Sequence, residues 1–375
     1  MTEMMALEEE RMERMKEAGK QRERKGLAYS ASSTGGEVDG AVVARAVNKD
    51  DPSGAVFRES FAHKTERIRK ASPYGHLANW NVISVIVKTG ADLRQEQLAI
   101  QLVKEFGRIW HEEKCPSWVC YFRILVTSET SGLIETITDA VSVHSLKKDA
   151  FARMSASSTP LASFTLYDHY LETFGTAQSD GTFTPTGTRW AKAQENFVQS
   201  LASYSVICYL LQLKDRHNGN ILVDKDGHLI HIDFGFLLSN SPGGMGFEMA
   251  PFKLPQDYID ILAAGTAPPT VRAANGAPTA ADPNANSQFT SPGFLRFVSL
   301  FKRNFRVARK HAERILTLVE LMQKDSRLPC FELGERSVQL LRDRFVLNLP
   351  EGKADEFAEG LVRASAGSSF TRLYE

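Results

Sequence analysis

The residues whose types and spacing could support chemistry lie in one stretch, Asp215 to Gly235. It opens with Asp-Arg-His-Asn-Gly-Asn and closes with Asp-Phe-Gly, and two apolar runs flank Asp226-Gly227 in between. Because both turn residues tolerate the positive φ of a type I′ turn, the sequence predicts a two-residue β-hairpin. An antiparallel ladder centred on that turn places Asn220 opposite Asp233. The open end of the hairpin is therefore predicted to hold an amide oxygen and a carboxylate.

This pair of oxygens predicts a phosphotransferase site. Hard oxygen ligands suit Mg²⁺, which keeps waters and takes further ligands from nucleotide phosphates. Asp215 and His217, with Arg216 between them, precede Asn220 closely enough to contact a hydroxyl approaching the same phosphate. In such sites, positioning and electrostatics supply most of the rate. An ordinary hairpin between polar loops is the alternative, and it does not explain why all these groups occur at one spacing.

Two residues are candidates for the catalytic base, Asp215 and His217. Histidine exchanges protons near neutral pH, which favours His217 as the base with Asp215 orienting it. The residue types leave the reverse assignment open.

The order of these residues separates the sequence from common protein kinases. Those carry His-Arg-Asp and a later Ala-Pro-Glu, and this sequence contains neither. Asp-Arg-His-x-x-Asn at 215–220, with His-Ile-Asp-Phe-Gly at 231–235, resembles the phosphatidylinositol 3-/4-kinase superfamily. The flanking residues 212–222 and 236–238 are similar to its type III beta phosphatidylinositol 4-kinase branch.

The resemblance implies an α+β, two-lobed, protein-kinase-like lipid kinase fold. Composition predicts a charged, disordered arm and linker at 1–50. The resemblance implies a small sheet-bearing lobe and hinge at 51–140 and a mostly helical lobe at 141–375. The Ala/Pro/Asn-rich sequence at 264–292 is predicted to be a low-complexity loop that cannot bury a core. Strands expected ahead of the phosphate loop are not evident in 1–50, so the small lobe is predicted to be incomplete.

The resemblance also assigns the nucleotide site. It makes Lys88, at the end of a strand predicted to be buried over 83–88, the ammonium that holds ATP phosphates. Glu96, in the first turn of a helix predicted from Gln95 to Glu113, would face Lys88, and the backbone of Glu135 and Ile137 would bind adenine. Ala91 stands where the family has an acid. The phosphate-facing loop is assigned to Ser72, Pro73, Tyr74 and Gly75. A simple turn between a helix and a strand is the alternative for that loop.

Composition limits the class of partner. Lys plus Arg equals Asp plus Glu at 45 each, so net charge argues neither for nor against nucleic acid, and no nucleic-acid partner is expected. The sequence has no run of 18 apolar residues and no apolar signal segment, which predicts a cytoplasmic protein with peripheral membrane contact. The resemblance implies Golgi-type endomembranes.

The expected activity is transfer of the ATP γ-phosphate to the 4-hydroxyl of phosphatidylinositol, with Mg²⁺ or Mn²⁺ as the metal. A 3-kinase, a related large protein kinase, and a nucleotide-binding scaffold with impaired turnover are the alternatives. No Lys or Arg stands between Asp233 and Lys253, which predicts preference for unphosphorylated phosphatidylinositol.

A cationic stripe at helical spacing has two interpretations. It is either a solvated helix face or a contact for the anionic membrane surface. Its members are Lys302, Arg306, Lys310 and Arg314.

Overall fold

The computed structural model describes residues 59–156, 164–242, 249–266 and 285–366. These residues belong to a compact unit, Asp51–Glu375. The predicted arm and linker at 1–50 lie outside the described residues.

The smaller lobe is a three-stranded antiparallel sheet with a helix packed against it. Its elements are α1 (Phe61–Ala71), β1 (Val85–Thr89), α2 (Arg94–Glu112), β2 (Ile124–Ser128) and β3 (Ser131–Glu135). The strand order is β1-β3-β2. Helix α2 buries the apolar positions that its sequence spacing predicts, Leu98, Leu102, Phe106 and Ile109, as expected of an amphipathic helix on a core.

The prediction of a buried strand over 83–88 is wrong. Strand β1 begins at Val85, and its Val87 is 68% exposed. Ile83, ahead of the strand, is 76% exposed. An apolar run in the sequence is compatible with a buried strand. Burial itself also requires a second layer of structure packed against that strand. Among the described residues, α2 packs against this sheet but does not bury these side chains.

The larger lobe is mostly helical and carries a second sheet, of order β4-β7-β8. Its central helix α5 is buried on nearly every face from Phe197 to Leu211. The elements are β4 (Ala140–Ser142), α3 (Val143–Ala156), α4 (Leu166–Phe174), β5 (Thr176–Ala177), β6 (Phe183–Thr184), α5 (Gly187–Leu211), β7 (Ile221–Asp224), β8 (Leu229–His231), α6 (Gln256–Ala263), α7 (Ala285–Gln288), α8 (Pro292–Lys310), α9 (Ala312–Gln323), α10 (Glu335–Arg344) and α11 (Glu351–Ala366).

The cationic stripe is divided between two helices and engaged in ion pairs. The helical pattern after Gly293 breaks at His311, between α8 and α9. Lys302 pairs with Glu359 at 3.5 Å, Arg306 with Asp355 at 2.6 Å, Lys310 with Glu113 at 2.8 Å, and Arg314 with Glu112 at 2.7 Å. The stripe therefore joins α8 and α9 to α2 and α11. These contacts argue against it as the contact for an anionic membrane.

The C-terminal end of the predicted loop 264–292 contains the short helix α7 and a buried polar residue. Gln288 is buried, its Oε1 accepts from Gln256 Nε2 at 2.9 Å, and its Nε2 donates to Asp260 at 3.0 Å. Ser291 then caps α8 by accepting from the Phe294 N–H at 3.3 Å. Composition predicted a loop here, but these polar residues satisfy buried groups on α6. Residues 267–284 lie outside the described residues.

Candidate active site

The hairpin forms, but its register differs by one residue from the prediction. Leu222 pairs with Ile230, and the Ile232 N–H donates to the Asn220 carbonyl at 3.1 Å. Asn220 therefore lies opposite Ile232, not Asp233. The side chains of Asn220 and Asp233 therefore lie at the open end of the hairpin, one ladder position apart.

The turn explains the shift. Gly227 has φ of 87°, whereas Asp226 is not among the positive-φ residues, so the turn is not type I′. The Asp224 carboxylate accepts from the Asp226 and His228 N–H groups at 2.9 and 2.8 Å. A carboxylate that caps the turn in this way favours a type I turn followed by glycine, which adds a third loop residue.

Arg216 fastens the loop before the hairpin to the segment after it. Its side chain donates to the carbonyls of Lys214 at 2.9 Å, Ile232 at 2.8 Å and Asp233 at 2.5 Å. The guanidinium also lies 5.6 Å from the centre of the Phe234 ring. The sequence analysis groups Arg216 with the catalytic candidates Asp215 and His217, whereas in the structure Arg216 is only 3% exposed and its guanidinium binds these carbonyls. It is a positioning residue that sets the distance between the two halves of the site.

A cleft with a volume of about 400 Å³ lies between the two lobes, within the range of small-molecule sites. Its lining includes Lys88, Glu96, Gly219 and Asp233. It also includes the predicted hinge residues Glu135 and Ile137, with Thr136 between them. The sequence motifs and the hinge therefore face the same space.

Lys88 and Glu96 form an ion pair inside this cleft. Lys88 Nζ lies 3.5 Å from Glu96 Oε2. Burial raises the pKa of Glu96, the Asp233 charge raises it further, and the Lys88 ammonium opposes both effects. The predicted pairing is present, and Asp233 is close enough to act electrostatically on the same carboxyl.

Gln95, which the sequence analysis did not select, joins the small lobe to the Asp-Phe-Gly segment. Its Nε2 donates to the Gly235 carbonyl, and its Oε1 accepts from the Cys330 N–H at 2.9 Å. Gln95 lies on the same face of α2 as Leu98 and Leu102, and it is buried. A polar residue on the apolar face of a helix is the signal that could have found it.

The catalytic loop orients its side chains through internal hydrogen bonds. Asn220 Nδ2 donates to the Asp215 carbonyl at 2.9 Å, which leaves Oδ1 as the atom for a metal. His217 Nδ1 accepts from the Gly219 N–H at 3.0 Å. A neutral His217 in this arrangement carries its proton on Nε2, and Nε2 lies 4.0 Å from Asp215 Oδ2.

The hinge residues reach the cleft, but one expected donor is already used. The Glu135 N–H donates to the Arg123 carbonyl at 2.8 Å, and the Glu135 carboxylate pairs with Arg123 at 3.1 Å. Glu135 and Ile137 both line the cleft. Adenine would therefore use backbone groups other than the Glu135 N–H.

The structure does not bring the predicted phosphate loop to the cleft. Among the described residues that line it, none comes from Ser72, Pro73, Tyr74 or Gly75. Ser72 instead ends α1, and its Oγ accepts from the Tyr74 N–H and the Trp80 indole, both at 3.2 Å. Tyr74 is 65% exposed. These contacts match the alternative interpretation, a turn between a helix and a strand.

The available oxygens fit a hard metal ion that is shared with a nucleotide. No group of three or more His, Cys, Asp or Glu side chains within the described ranges is arranged to hold a metal. Asp233 and Asn220 would supply a carboxylate and an amide oxygen. That small set suits Mg²⁺, which fills its shell with waters and phosphate oxygens.

The two lobes, the Lys88–Glu96 pair and the hairpin have the arrangement of a protein-kinase-like fold. The chain belongs to the phosphatidylinositol 3- and 4-kinase family, whose profile matches residues 82–333. No helix in the part of the chain that the structure describes is long and apolar enough to cross a bilayer.

Among the relatives are several 4-kinases. The chain is 46% identical to phosphatidylinositol 4-kinase pik1 of Schizosaccharomyces pombe, over 88% of this chain and 35% of the relative. It is 46% identical to PIK1 of Saccharomyces cerevisiae over 84% of this chain and 27% of the relative. It is 40% identical to phosphatidylinositol 4-kinase beta of Xenopus tropicalis over 87% and 35%. The chain thus spans about a third of the length of these relatives.

We predict that Arg216→Lys destabilises the protein although it keeps the charge. A lysine ammonium cannot reproduce the planar fork that serves three carbonyls, and each buried acceptor left without a donor costs about 1–3 kcal/mol. Denaturant unfolding should show a loss of that size or more. Arg336→Lys, at a surface-facing position of α10, is the matched control and should change stability by less than about 0.5 kcal/mol. Equal stability of the two variants would contradict the positioning role.

Proposed function

We propose that this chain is the catalytic region of a phosphatidylinositol 4-kinase, which transfers the ATP γ-phosphate to the 4-hydroxyl of phosphatidylinositol. One observation carries the proposal. Lys88, Glu96 and Asp233 line one cleft beside the Asp215–Asn220 loop. The names of the relatives support the lipid and the 4-position.

In this proposal the cleft binds ATP with its adenine at the hinge. Lys88 would neutralise phosphate charge, and Glu96 would hold the ammonium in place, as a Lys–Glu pair does in protein kinases. Gln95 would keep Glu96 in register with the Asp-Phe-Gly segment, because it joins α2 to the Gly235 carbonyl. Closure of the lobes would depend on this contact.

Asn220 and Asp233 would hold Mg²⁺, or Mn²⁺ in its place. When bound, the metal neutralises charge on the phosphates of the nucleotide. The Asn220 side chain is oriented for this role, because its Nδ2 donates to the Asp215 carbonyl and its Oδ1 remains as the atom for a metal. Arg216 would keep Asp233 beside the loop through the Asp233 carbonyl.

The loop geometry favours Asp215 over His217 as the base. With Nδ1 accepting from Gly219, neutral His217 has no lone pair on Nε2 to accept the proton of a hydroxyl. Its Nε2–H can donate to Asp215 or to a phosphate oxygen. Asp215 would take the proton of the 4-hydroxyl, and His217 would orient the carboxylate and stabilise developing charge. This reverses the roles that residue type alone favoured.

The alternatives have less support. A 3-kinase would share every residue of the site, but the relatives reported above carry the name 4-kinase. A scaffold without turnover would need no aligned set of base, amide and carboxylate beside the nucleotide cleft. We therefore retain one function.

The lipid substrate implies work at a membrane surface. We propose peripheral association of a cytoplasmic protein with Golgi-type endomembranes, which stays a prediction. The cations of the stripe on α8 and α9 are engaged in ion pairs. Other side chains would therefore have to contact an anionic membrane surface.

Asp233→Asn should leave the fold intact and lower kcat by about 10²–10³, since a charge-stabilising contact in the transition state is worth about 3–4 kcal/mol. The assay is Mg²⁺-dependent turnover on phosphatidylinositol vesicles, with the position of the product phosphate resolved. Asp226→Asn makes the same chemical change at an exposed turn of the same hairpin and should keep parental turnover. Full activity of Asp233→Asn would refute the metal assignment, and a 3-phosphate product would refute the 4-kinase.

The two loop residues should respond differently to amide replacement. Asp215→Asn removes the proton acceptor, and loss of a general base costs about 10²–10⁴ in rate. His217→Gln keeps an N–H donor, so we expect it to retain at least tenfold more turnover than Asp215→Asn. Single-turnover rates at saturating ATP give the comparison. The reverse order would restore His217 as the base.

The acceptor should be phosphatidylinositol without ring phosphates. Each added phosphate carries nearly two negative charges and needs charge-assisted partners, and no Lys or Arg stands between Asp233 and Lys253. Turnover is to be measured on vesicles that present phosphatidylinositol, its 4-phosphate or its 4,5-bisphosphate at matched surface charge. The 4-phosphate and the 4,5-bisphosphate have no free 4-hydroxyl. Phosphatidylinositol 3-phosphate and phosphatidylinositol 5-phosphate, which keep that hydroxyl, are therefore included as further acceptors. Comparable rates on these two lipids would contradict the prediction.

A further inference from the structure

The chain that follows the Asp-Phe-Gly motif is held by a closed ring of hydrogen bonds. The Gly235 carbonyl accepts from Gln95 Nε2, and Gln95 Oε1 accepts from the Cys330 N–H at 2.9 Å. The Cys330 carbonyl in turn accepts from Ser239 Oγ at 2.7 Å. The short stretch of chain from Gly235 to Ser239 closes the ring. These four residues are called the Cys330 ring below.

Two members of the Cys330 ring are buried. Cys330 is fully buried, and Gln95 is 6% exposed. Cys330 uses both its N–H and its carbonyl within the ring, so opening one link leaves a buried group without its partner, which is costly. The hydroxyl hydrogen of Ser239 is donated to Cys330, so Ser337 at the start of α10 must be the donor in its contact with Ser239 Oγ at 3.1 Å.

The Gly235 carbonyl has a second donor outside the ring. Asn240 Nδ2 donates to it at 3.1 Å. A carbonyl oxygen has two lone pairs, so one amide from α2 and one from the following segment satisfy this acceptor together. The backbone between the two serines and glycines of this turn is also fixed, because the Leu238 N–H donates to the carbonyl of Leu211, the last residue of α5, at 2.6 Å.

These contacts act on Asp233 because it stands two residues before Gly235. Asp233 has a φ of 57°, and a non-glycine residue holds such a backbone only where the surrounding structure supports it. Arg216 binds the Asp233 carbonyl from the side of the catalytic loop. Gln95 and Asn240 hold the Gly235 carbonyl on the other side. The Asp-Phe-Gly motif is therefore fixed at both ends.

We propose that Ser239 and Asn240 are positioning residues for Asp233. This inference rests on the proposed function, in which the Asp233 carboxylate holds Mg²⁺. Asn240 acts directly on the Gly235 carbonyl, whereas Ser239 acts through the Cys330 ring. Neither side chain is among the described residues that line the cleft, so an effect of either one on metal binding has to come through the position of Asp233.

The test compares Ser239→Ala, which opens the Cys330 ring, with Ser239→Thr, which keeps a hydroxyl at the same position. Ser299→Ala makes the same chemical change at an exposed position of α8 and is the matched control. Calorimetry measures the affinity for a non-hydrolysable ATP analogue in Mg²⁺ and in EDTA. Ser239→Ala should lose about tenfold in Mg²⁺, close to 1.4 kcal/mol, and nothing in EDTA. Ser239→Thr should recover most of that loss, and Ser299→Ala should match the parent.

Hydrogen exchange of the protein without nucleotide shows whether opening the ring is the cause. The amides of Cys330 and Leu238 should exchange at least tenfold faster in Ser239→Ala than in the parent, with exchange across α8 unchanged. Asn240→Ala is the second variant, because it removes a donor to Gly235 and leaves the links of the Cys330 ring in place. It should lower the Mg²⁺-dependent affinity by about threefold, and it decides the matter if Ser239→Ala folds poorly.

The outcomes separate the inference from the function beneath it. An equal loss of analogue affinity in Mg²⁺ and in EDTA, or an unchanged response to Mg²⁺ in the folded variants, overturns the inference, and the two side chains then support the fold alone. If the variants lose Mg²⁺-dependent affinity as expected but the parent makes no phosphatidylinositol 4-phosphate, the inference stands and the proposed function fails.

Discussion

A buried guanidinium holds the two halves of this site together. The catalytic loop enters β7 and the Asp-Phe-Gly segment follows β8, so both lie at the open end of the hairpin. Arg216 binds the carbonyls of Lys214, Ile232 and Asp233 from a position almost closed to water. In a buried position these hydrogen bonds are stronger than in water, and a carbonyl left without its donor costs free energy. The distance between the Asp215–Asn220 loop and Asp233 therefore depends on a residue that is almost fully buried.

Gln95 connects the two lobes, as Arg216 connects the two segments at the end of the hairpin. One amide side chain binds the Gly235 carbonyl and the Cys330 N–H, so a helix of the small lobe and two segments of the large lobe meet at a single residue. Because Gln95 adjoins Glu96, the same turn of α2 presents the Lys88 partner to the cleft. Nucleotide binding and the geometry of the Asp-Phe-Gly segment are thereby coupled through one turn of helix.

Charge is used differently at the site and on the surface. In the cleft, Glu96 is buried strongly enough that its pKa rises despite the neighbouring ammonium, and buried ion pairs of this kind are weak contributors to stability. On α8 and α9, four cations meet carboxylates of other helices at the surface, where such pairs contribute little each and are weakened by salt. Their regular spacing reflects packing between helices.

The sequence by itself determined the chemistry and the order of the elements. The Asp-Arg-His and Asp-Phe-Gly motifs, the apolar face of α2 and the hairpin between β7 and β8 all follow from local spacing and turn propensity, which act within a few residues. Tertiary structure decided the features that local spacing and turn propensity do not specify. It decided the ladder register through the Asp224 carboxylate and the burial of Gln288 against α6. It also left the Ser72–Gly75 turn outside the cleft and brought Lys253 to Asn218. Each of these depends on a partner far along the chain or on a side chain that competes for a backbone group, and no pattern of neighbouring residues specifies such a partner.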